Sequence, residues 1–261
     1  YAKEAFLCFE EMENEGISCD VLMLVSILKA CVILVSITRG QEIHTTVVNK
    51  GLEREPLIGN SLLDMYAKCG SLIATQYVFN MLLDRNVVSW TALIGGYVEN
   101  GCCPKALDCF EKMHYDGILA NVVTFICILK ACSNIKAESR GQEIHIVIVK
   151  RGFAGDDVVA NGLVNMYAKC GMFLEAQNVF DKLLVPTVTA CNALMGGYSE
   201  HGHAKEALHC FEWMQYEGMV MNAITFVCIL KACGDLGIST KGLEVHDEIT
   251  KKGMETEAHI G

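Results

Sequence analysis

Apolar residues recur along the chain at helical intervals, in short runs closed by glycine. Residues 87–121 read VVSWTALIGGYVENGCCPKALDCFEKMHYDGILAN. Apolar residues at Val88, Leu93, Ile94 and Tyr97 are consistent with one helix, and the pattern stops near Gly101. Ala106, Leu107, Phe110 and Met113 repeat it, and Gly117 closes it. The spacing predicts two helices joined by a tight turn. Neither helix can bury its apolar face alone, so such hairpins must stack on one another. The expected fold is all-α: a right-handed α-solenoid superhelix of stacked helix-turn-helix hairpins with a concave groove.

The pattern itself returns after 101 residues: DMYAKCG at 64–70 becomes NMYAKCG at 165–171. EAFLCFEEMENEGI (4–17) matches KALDCFEKMHYDGI (105–118) and EALHCFEWMQYEGM (206–219). SILKAC (26–31) is matched by CILKAC at 127–132 and 228–233, and GQEIH at 40–44 and 141–145 by GLEVH at 242–246. Internal echoes of this kind indicate a repeat array. Aligning the apolar positions divides the period into units of 35, 35 and 31 residues.

Composition changes the picture in three places. The chain has 261 residues, 52% of them hydrophobic and only three of them proline, which suits a large helical core. The run VLMLVSILKACVILVSI (21–37) is long enough to suggest a membrane span, but Lys29 interrupts it and its counterpart at 122–138 is too polar. Both are read as buried soluble helices, and no membrane is expected. Fourteen cysteines in a chain this long, with no signal peptide, read as free thiols. Ten recur at fixed places (Cys8, Cys109 and Cys210; Cys31, Cys132 and Cys233; Cys69 and Cys170; Cys127 and Cys228), where core packing is expected. No C-x-x-C pair supports zinc. His44, His145 and His246 also share one position, as packing or interface histidines. The net charge of −10 excludes binding driven by bulk positive charge, so a nucleic-acid site would need a local basic stripe.

Hairpins of 35 residues opening VVSWTALIGGY resemble pentatricopeptide repeats, and the 35-35-31 alternation resembles their PLS subclass in plant organelles. The short units NSLLDMYAKCG (60–70) and NGLVNMYAKCG (161–171) and the three LKAC segments carry the likeness across the whole chain. The register is a partial P (1–20), L 21–55, S 56–86, P 87–121, L 122–156, S 157–187, P 188–222, L 223–257 and a partial S (258–261). Both ends cut through a unit, so a piece of a longer array is expected, with self-association through uncapped ends.

The resemblance implies binding of single-stranded organellar RNA, one base per unit, with bases chosen by the fifth and last residues of P and S units. In the family an Asn in fifth place goes with pyrimidines and Thr or Ser with purines; a last Asn goes with A and C, and a last Asp with G and U. On this sequence the base-reading pairs are Asn60 with Asn86, Thr91 with Asn121, Asn161 with Thr187, and Asn192 with Asn222. They imply a pyrimidine, adenine, a weakly read pyrimidine, and a pyrimidine with C over U. The L pairs Val25/Glu55, Ile126/Asp156 and Val227/Glu257 have an apolar fifth residue, which cannot hydrogen-bond a base. The implied core is 5′-Y-A-n-Y-Y-3′. Leu57, Val88, Val158 and Thr189, in second place, would sandwich bases.

Asn and Thr also favour helix starts, so capping is the competing account of these residues. Lys29, Lys130 and Lys231 lie four residues after the fifth place, and Lys68 and Lys169 eight after it, so all five share the base-reading face as phosphate contacts. A lysine in a last helical turn is also favoured by the helix dipole, and Asp64 precedes Lys68 by one turn. Trp90 reads as interhelical packing rather than a stacking platform. The expected role is the specificity module of a C-to-U editing or RNA-processing factor in a mitochondrion or chloroplast. Small organellar editing-factor proteins would contact the L units, and the alternative role is a scaffold for protein partners. HDE at 246–248 is half of a deaminase motif, but no P-C-x-x-C follows, so this chain is not expected to be an enzyme. No cofactor or metal is implied.

Overall fold

The computed structural model describes residues 1–253. Residues 254–261, which hold Glu257 and the partial S unit 258–261, lie outside the described residues. Every regular element among the described residues is a helix. The first helices of the hairpins are α2 (Val21–Ile33), α4 (Pro56–Lys68), α6 (Val87–Glu99), α8 (Val122–Ile135), α10 (Asp157–Lys169), α12 (Val188–Glu200) and α14 (Ala223–Leu236). The second helices are α1 (Ala2–Asn14), α3 (Ile37–Asn49), α5 (Leu72–Met81), α7 (Cys103–Tyr115), α9 (Glu138–Lys150), α11 (Phe173–Phe180), α13 (Ala204–Tyr216) and α15 (Ser239–Lys251). The short period has a simple origin. First helices keep 13 or 14 residues throughout, while α5 and α11 shrink to 10 and 8 against 13 for the other second helices.

The chain forms two compact bodies, Tyr1–Ala131 and Cys132–Gly261, with the boundary inside α8. Each is a segment of α-solenoid. In the first body α2 packs on α4 and α4 on α6; in the second α10 packs on α12 and α12 on α14. Second helices bridge to the next hairpin, α3 against α4, α5 against α6 and α11 against α12. The shared faces are dry. Leu62, Leu63, Met65, Leu93 and Ile94 are buried in the first body, and Leu163, Val164, Leu194 and Met195 in the second. Burial of each such side chain contributes roughly 1.5–3 kcal/mol. Trp90 is buried edge-on against Phe79, with ring centroids 4.6 Å apart, so it is a packing residue.

Two glycines set how closely the first helices approach. A Cβ on Gly96 would lie 2.6 Å from Ala67 Cβ, and one on Gly197 would lie 2.6 Å from Ala168 Cβ. The MYAKCG strings end the helices they close. Gly70 adopts φ +80°, its N–H donates to the Ala67 carbonyl at 3.1 Å, and the Ser71 N–H donates to Tyr66 at 2.9 Å. That is a Schellman turn, which glycine makes without Cβ strain. The same tyrosines hold the preceding second helix, since Tyr66 OH meets His44 Nδ1 at 2.8 Å and Tyr167 OH meets His145 Nδ1 at 2.8 Å. Burial lowers both histidine pKa values and raises both tyrosines to about 12, so the pairs stay neutral near pH 7. His246 is exposed, with no following first helix among the described residues to supply its tyrosine.

The cysteines are free. Most of the ten recurring ones are buried or half-buried, as expected, but Cys8 is exposed. In α7 and α13 the equivalent cysteine faces the first helix of its own hairpin, with Cys210 Sγ 3.9 Å from the Cys191 carbonyl. No helix precedes α1 among the described residues, so Cys8 has nothing to pack against. No described helix is long and apolar enough to cross a membrane.

The adjacent glycines of α6 provide a test. A Cβ on Gly95 would meet only Cys127 Sγ, at an ordinary 3.5 Å. Gly95→Ala should therefore hold or raise stability by up to about 1 kcal/mol through helix propensity. Gly96→Ala should lower it by roughly 1–3 kcal/mol by overpacking against Ala67. Urea midpoints of the two variants check the contrast.

Candidate functional site

The last residue of each repeat unit is where the next first helix begins. Asp20 Oδ1 accepts from Met23 N–H at 2.8 Å, and Asp156 Oδ1 accepts from Val158 and Val159 N–H at 3.0 Å each. Asn86 Oδ1 accepts from Val88 and Ser89, and Thr187 Oγ1 accepts from Ala190 N–H at 3.1 Å. Asn121 and Asn222 cap α8 and α14 through Thr124 and Thr225. Glu55 begins α4 without a side-chain cap bond. Capping and exposure are compatible, because a cap engages the amide oxygen of an asparagine and leaves its NH₂ free.

The fifth residue of one unit lies beside that cap. In the first body Thr124 Oγ1 joins the two. It donates to Asn121 Oδ1 at 3.0 Å and contacts Thr91 Oγ1 at 2.7 Å. Thr124 has one hydroxyl proton. With that proton on Asn121, the Thr91 hydroxyl must donate to Thr124 and keeps its lone pairs for the solvent side. In the second body Thr187 donates to Asn161 Oδ1 at 3.1 Å, and Asn192 Nδ2 donates to Asn222 Oδ1 at 3.0 Å. Thr225, buried, donates to Asn192 Oδ1 at 2.8 Å. Asn192 is itself only 8% exposed, so Asn222 is the outward member of that pair. Asn60 is half-buried and Asn86 exposed, with no bond between them.

Ser89, Thr124 and Thr225, third in their units and fully buried, were not among the residues singled out from sequence. Their signal is the N-x-x-S/T spacing of Asn86–Ser89, Asn121–Thr124 and Asn222–Thr225, a capping box whose side chains answer each other.

A cleft of about 440 Å³ in the first body gathers Asn60, Lys68, Val88, Thr91 and Asn121. Asp64, Glu99 and Cys127 line it too. Burial pushes the Cys127 thiol pKa upward, so that wall is neutral. Lys68 Nζ is 2.9 Å from Asp64 Oδ1. With Glu99 also present, this cleft is not a basic stripe. Lys29, Lys130 and Lys231 are exposed on their helices and Lys169 is half-buried. The second-place residues are outward in every hairpin. Leu57, Val88 and Val158 are about half exposed and Thr189 is exposed, and Leu22, Val123 and Ile224 join them. Six apolar side chains at one repeat position are thus left with about half or more of their surface in water. Among the L units' fifth residues Val25 is buried, Ile126 half-buried and Val227 exposed. Among the described residues no three potential ligands converge on a metal position.

The chain matches the PPR repeat family over residues 85–134 and 186–235 and the PPR repeat over 158–185. A pentatricopeptide repeat-containing protein of Arabidopsis thaliana named mitochondrial is 33% identical over 249 residues, covering 95% of this chain and 24% of the relative. Another from the same plant, named chloroplastic, is 34% identical over 242 residues, covering 93% and 30%. The chain thus spans about a quarter to a third of the length of these curated relatives. The crystal structure of the pentatricopeptide repeat protein PPR10 in complex with an 18-nt psaJ RNA element aligns with a TM-score of 0.82 at 21% identity, covering 97% of this chain and 38% of that one. The structure of PPR10 from maize alone aligns with a TM-score of 0.78 at 22% identity over 97% and 37%. These alignments show a shared fold.

Replacing Thr124 by Val removes the hydroxyl that holds Thr91 and Asn121 while keeping its shape. The loss should be about 1–2 kcal/mol. Thr124→Ser should keep most of that, and paired urea melts read the difference.

Proposed function

From a chain that carries PPR repeats over residues 85–134, 158–185 and 186–235, we propose sequence-selective binding of single-stranded RNA, one base per repeat unit. The observation that carries this reading is the cleft of the first body, where an exposed apolar second residue and a polar fifth–last pair occur together. An unstacked base can rest on Val88 and turn its Watson–Crick edge to Thr91 and Asn121, as other one-base-per-repeat readers do. Thr91 offers an acceptor and Asn121 an NH₂ donor. Adenine supplies the complement, a 6-amino donor beside the N1 acceptor, while guanine reverses both. Asn222, held by Asn192 through its oxygen, offers only its NH₂ donor outward, which suits the N3 or O2 acceptor of cytosine better than the N3–H of uracil. Thr187 spends its proton on Asn161 and discriminates little.

The implied site is 5′-Y-A-n-Y-Y-3′. We read the 35-35-31 alternation as that of editing-type proteins working in a mitochondrion or chloroplast, a reading supported by relatives named mitochondrial and chloroplastic. Its part there is recognition: the chain holds a C-to-U editing or processing complex on a transcript and leaves the chemistry to others. Phosphates meet Lys29, Lys68, Lys130, Lys169 and Lys231. Asp64 competes for Lys68, whereas Asn165 leaves Lys169 without that competitor.

Selection from a random single-stranded pool should enrich Y-A-n-Y-Y, and failure to enrich it would overturn the reading. Thr91→Asn should move the second position from adenine toward a pyrimidine. If all five lysines engage, log K should fall against log salt with a slope of roughly −3 to −4. Lys169→Ala should then weaken binding more than Lys68→Ala.

A further inference from the structure

The two bodies contain corresponding clefts between the second helices of an S and a P unit, offset by the 101-residue period. The first, between α5 and α7, is already filled by a cation. The Arg85 guanidinium carbon lies 5.0 Å from the Phe79 ring centroid, and Arg85 donates to the carbonyls of Phe79 and Asn80 at 3.3 Å each. Trp90 closes the floor against Phe79. About 270 Å³ of open space remains.

The second cleft, between α11 and α13, keeps the frame and loses the plug. Phe180 stands where Phe79 does, but Pro186 replaces Arg85 and the small Cys191 replaces Trp90. The open space grows to about 550 Å³. Its chemistry turns toward a cation as well. Trp213 replaces Lys112 and meets Phe180 edge-on at 5.8 Å, Asp181 replaces Asn80, and Glu206 replaces Lys105. Two carboxylates, Asp181 beside Gln177 and Glu206 beside His203, and the rings of Phe180, Tyr198 and Trp213 therefore line a space whose twin holds a guanidinium over phenylalanine. The Phe180 carbonyl carries the same local bond as its twin, from Leu183 N–H, and has the same lone pair for a guanidinium. Leu194 at the floor lies two residues from Asn192, about 200° round α12, so the cleft opens away from the base-reading pair.

We propose that this cleft is a docking site for an arginine side chain of a partner protein. The ring faces and carboxylates select a cation, and the planar guanidinium suits the slot that Arg85 occupies in the first body better than an ammonium does. The site is separate from the RNA reading and does not rest on it.

The chain has two tryptophans, Trp90 and Trp213, so a ¹⁵N spectrum has two indole signals, assigned with Trp213→Phe. The full chain is titrated with the blocked peptide Ac-Ala-Arg-Ala-NH₂ and with its citrulline counterpart, which keeps the shape and removes the charge. The expected result is a saturable shift of the Trp213 signal with the arginine peptide, a still Trp90 signal, and no response to citrulline. Asp181→Asn with Glu206→Gln should weaken the response by about fivefold. Pro186→Arg restores the plug that its twin tolerates and should abolish the response. Equal response to citrulline, no response to arginine, or undiminished binding by Pro186→Arg would overturn the proposal.

Discussion

The close contact of successive first helices is the constraint from which the rest follows. Gly96 against Ala67, and Gly197 against Ala168, bring the backbones together where any larger pair would push them apart. The contacts between a third residue and the fifth residue of the hairpin before it lie at the next seams, α6 with α8 and α12 with α14, where a Cβ on Gly95 or Gly196 would meet the Cys127 or Cys228 sulfur at an ordinary 3.5 or 3.9 Å. There Thr124 touches Thr91 at 2.7 Å, and Thr225 touches Asn192 at 2.8 Å.

Helix capping does the second part. A free asparagine amide presents a donor and an acceptor that can exchange places by a flip. Capping removes that ambiguity, because the oxygen must face the N–H groups of the helix it starts. Asn86, Asn121 and Asn222 are thereby fixed with nitrogen available for an outside partner. Capping therefore leaves these residues able to serve the proposed reading from the opposite side of the same side chain.

Much of the fold was legible because helical spacing and glycine stops are local signals. The start of each first helix, the hairpin pairing and the packing role of Trp90 all came from short windows. What was hidden is non-local. Cys8 looked like its partners at 109 and 210, yet its environment depends on a helix that precedes the others. The tie through Thr124 needed the distance between neighbouring hairpins, though its N-x-x-T spacing was visible. The pairing of Lys68 with Asp64, visible as a possibility one turn apart, is made at 2.9 Å. Pro186 and Arg85 drew no reading from the sequence, and only the paired clefts give their difference a meaning.

Because the last residue starts a helix as well as facing outward, its chemical alphabet is short. Asn, Asp, Ser and Thr cap well, and a change to Ala, Val or Leu there costs about 1 kcal/mol whatever it does outside. Redesign of the positions at 86, 121, 187 and 222 is therefore confined to a few letters, and new preferences must come chiefly from the fifth residue. A lineage would vary more readily at 60, which has no bond to its cap, than at 91, which Thr124 ties, and would move at the caps only in steps that keep the helix begun.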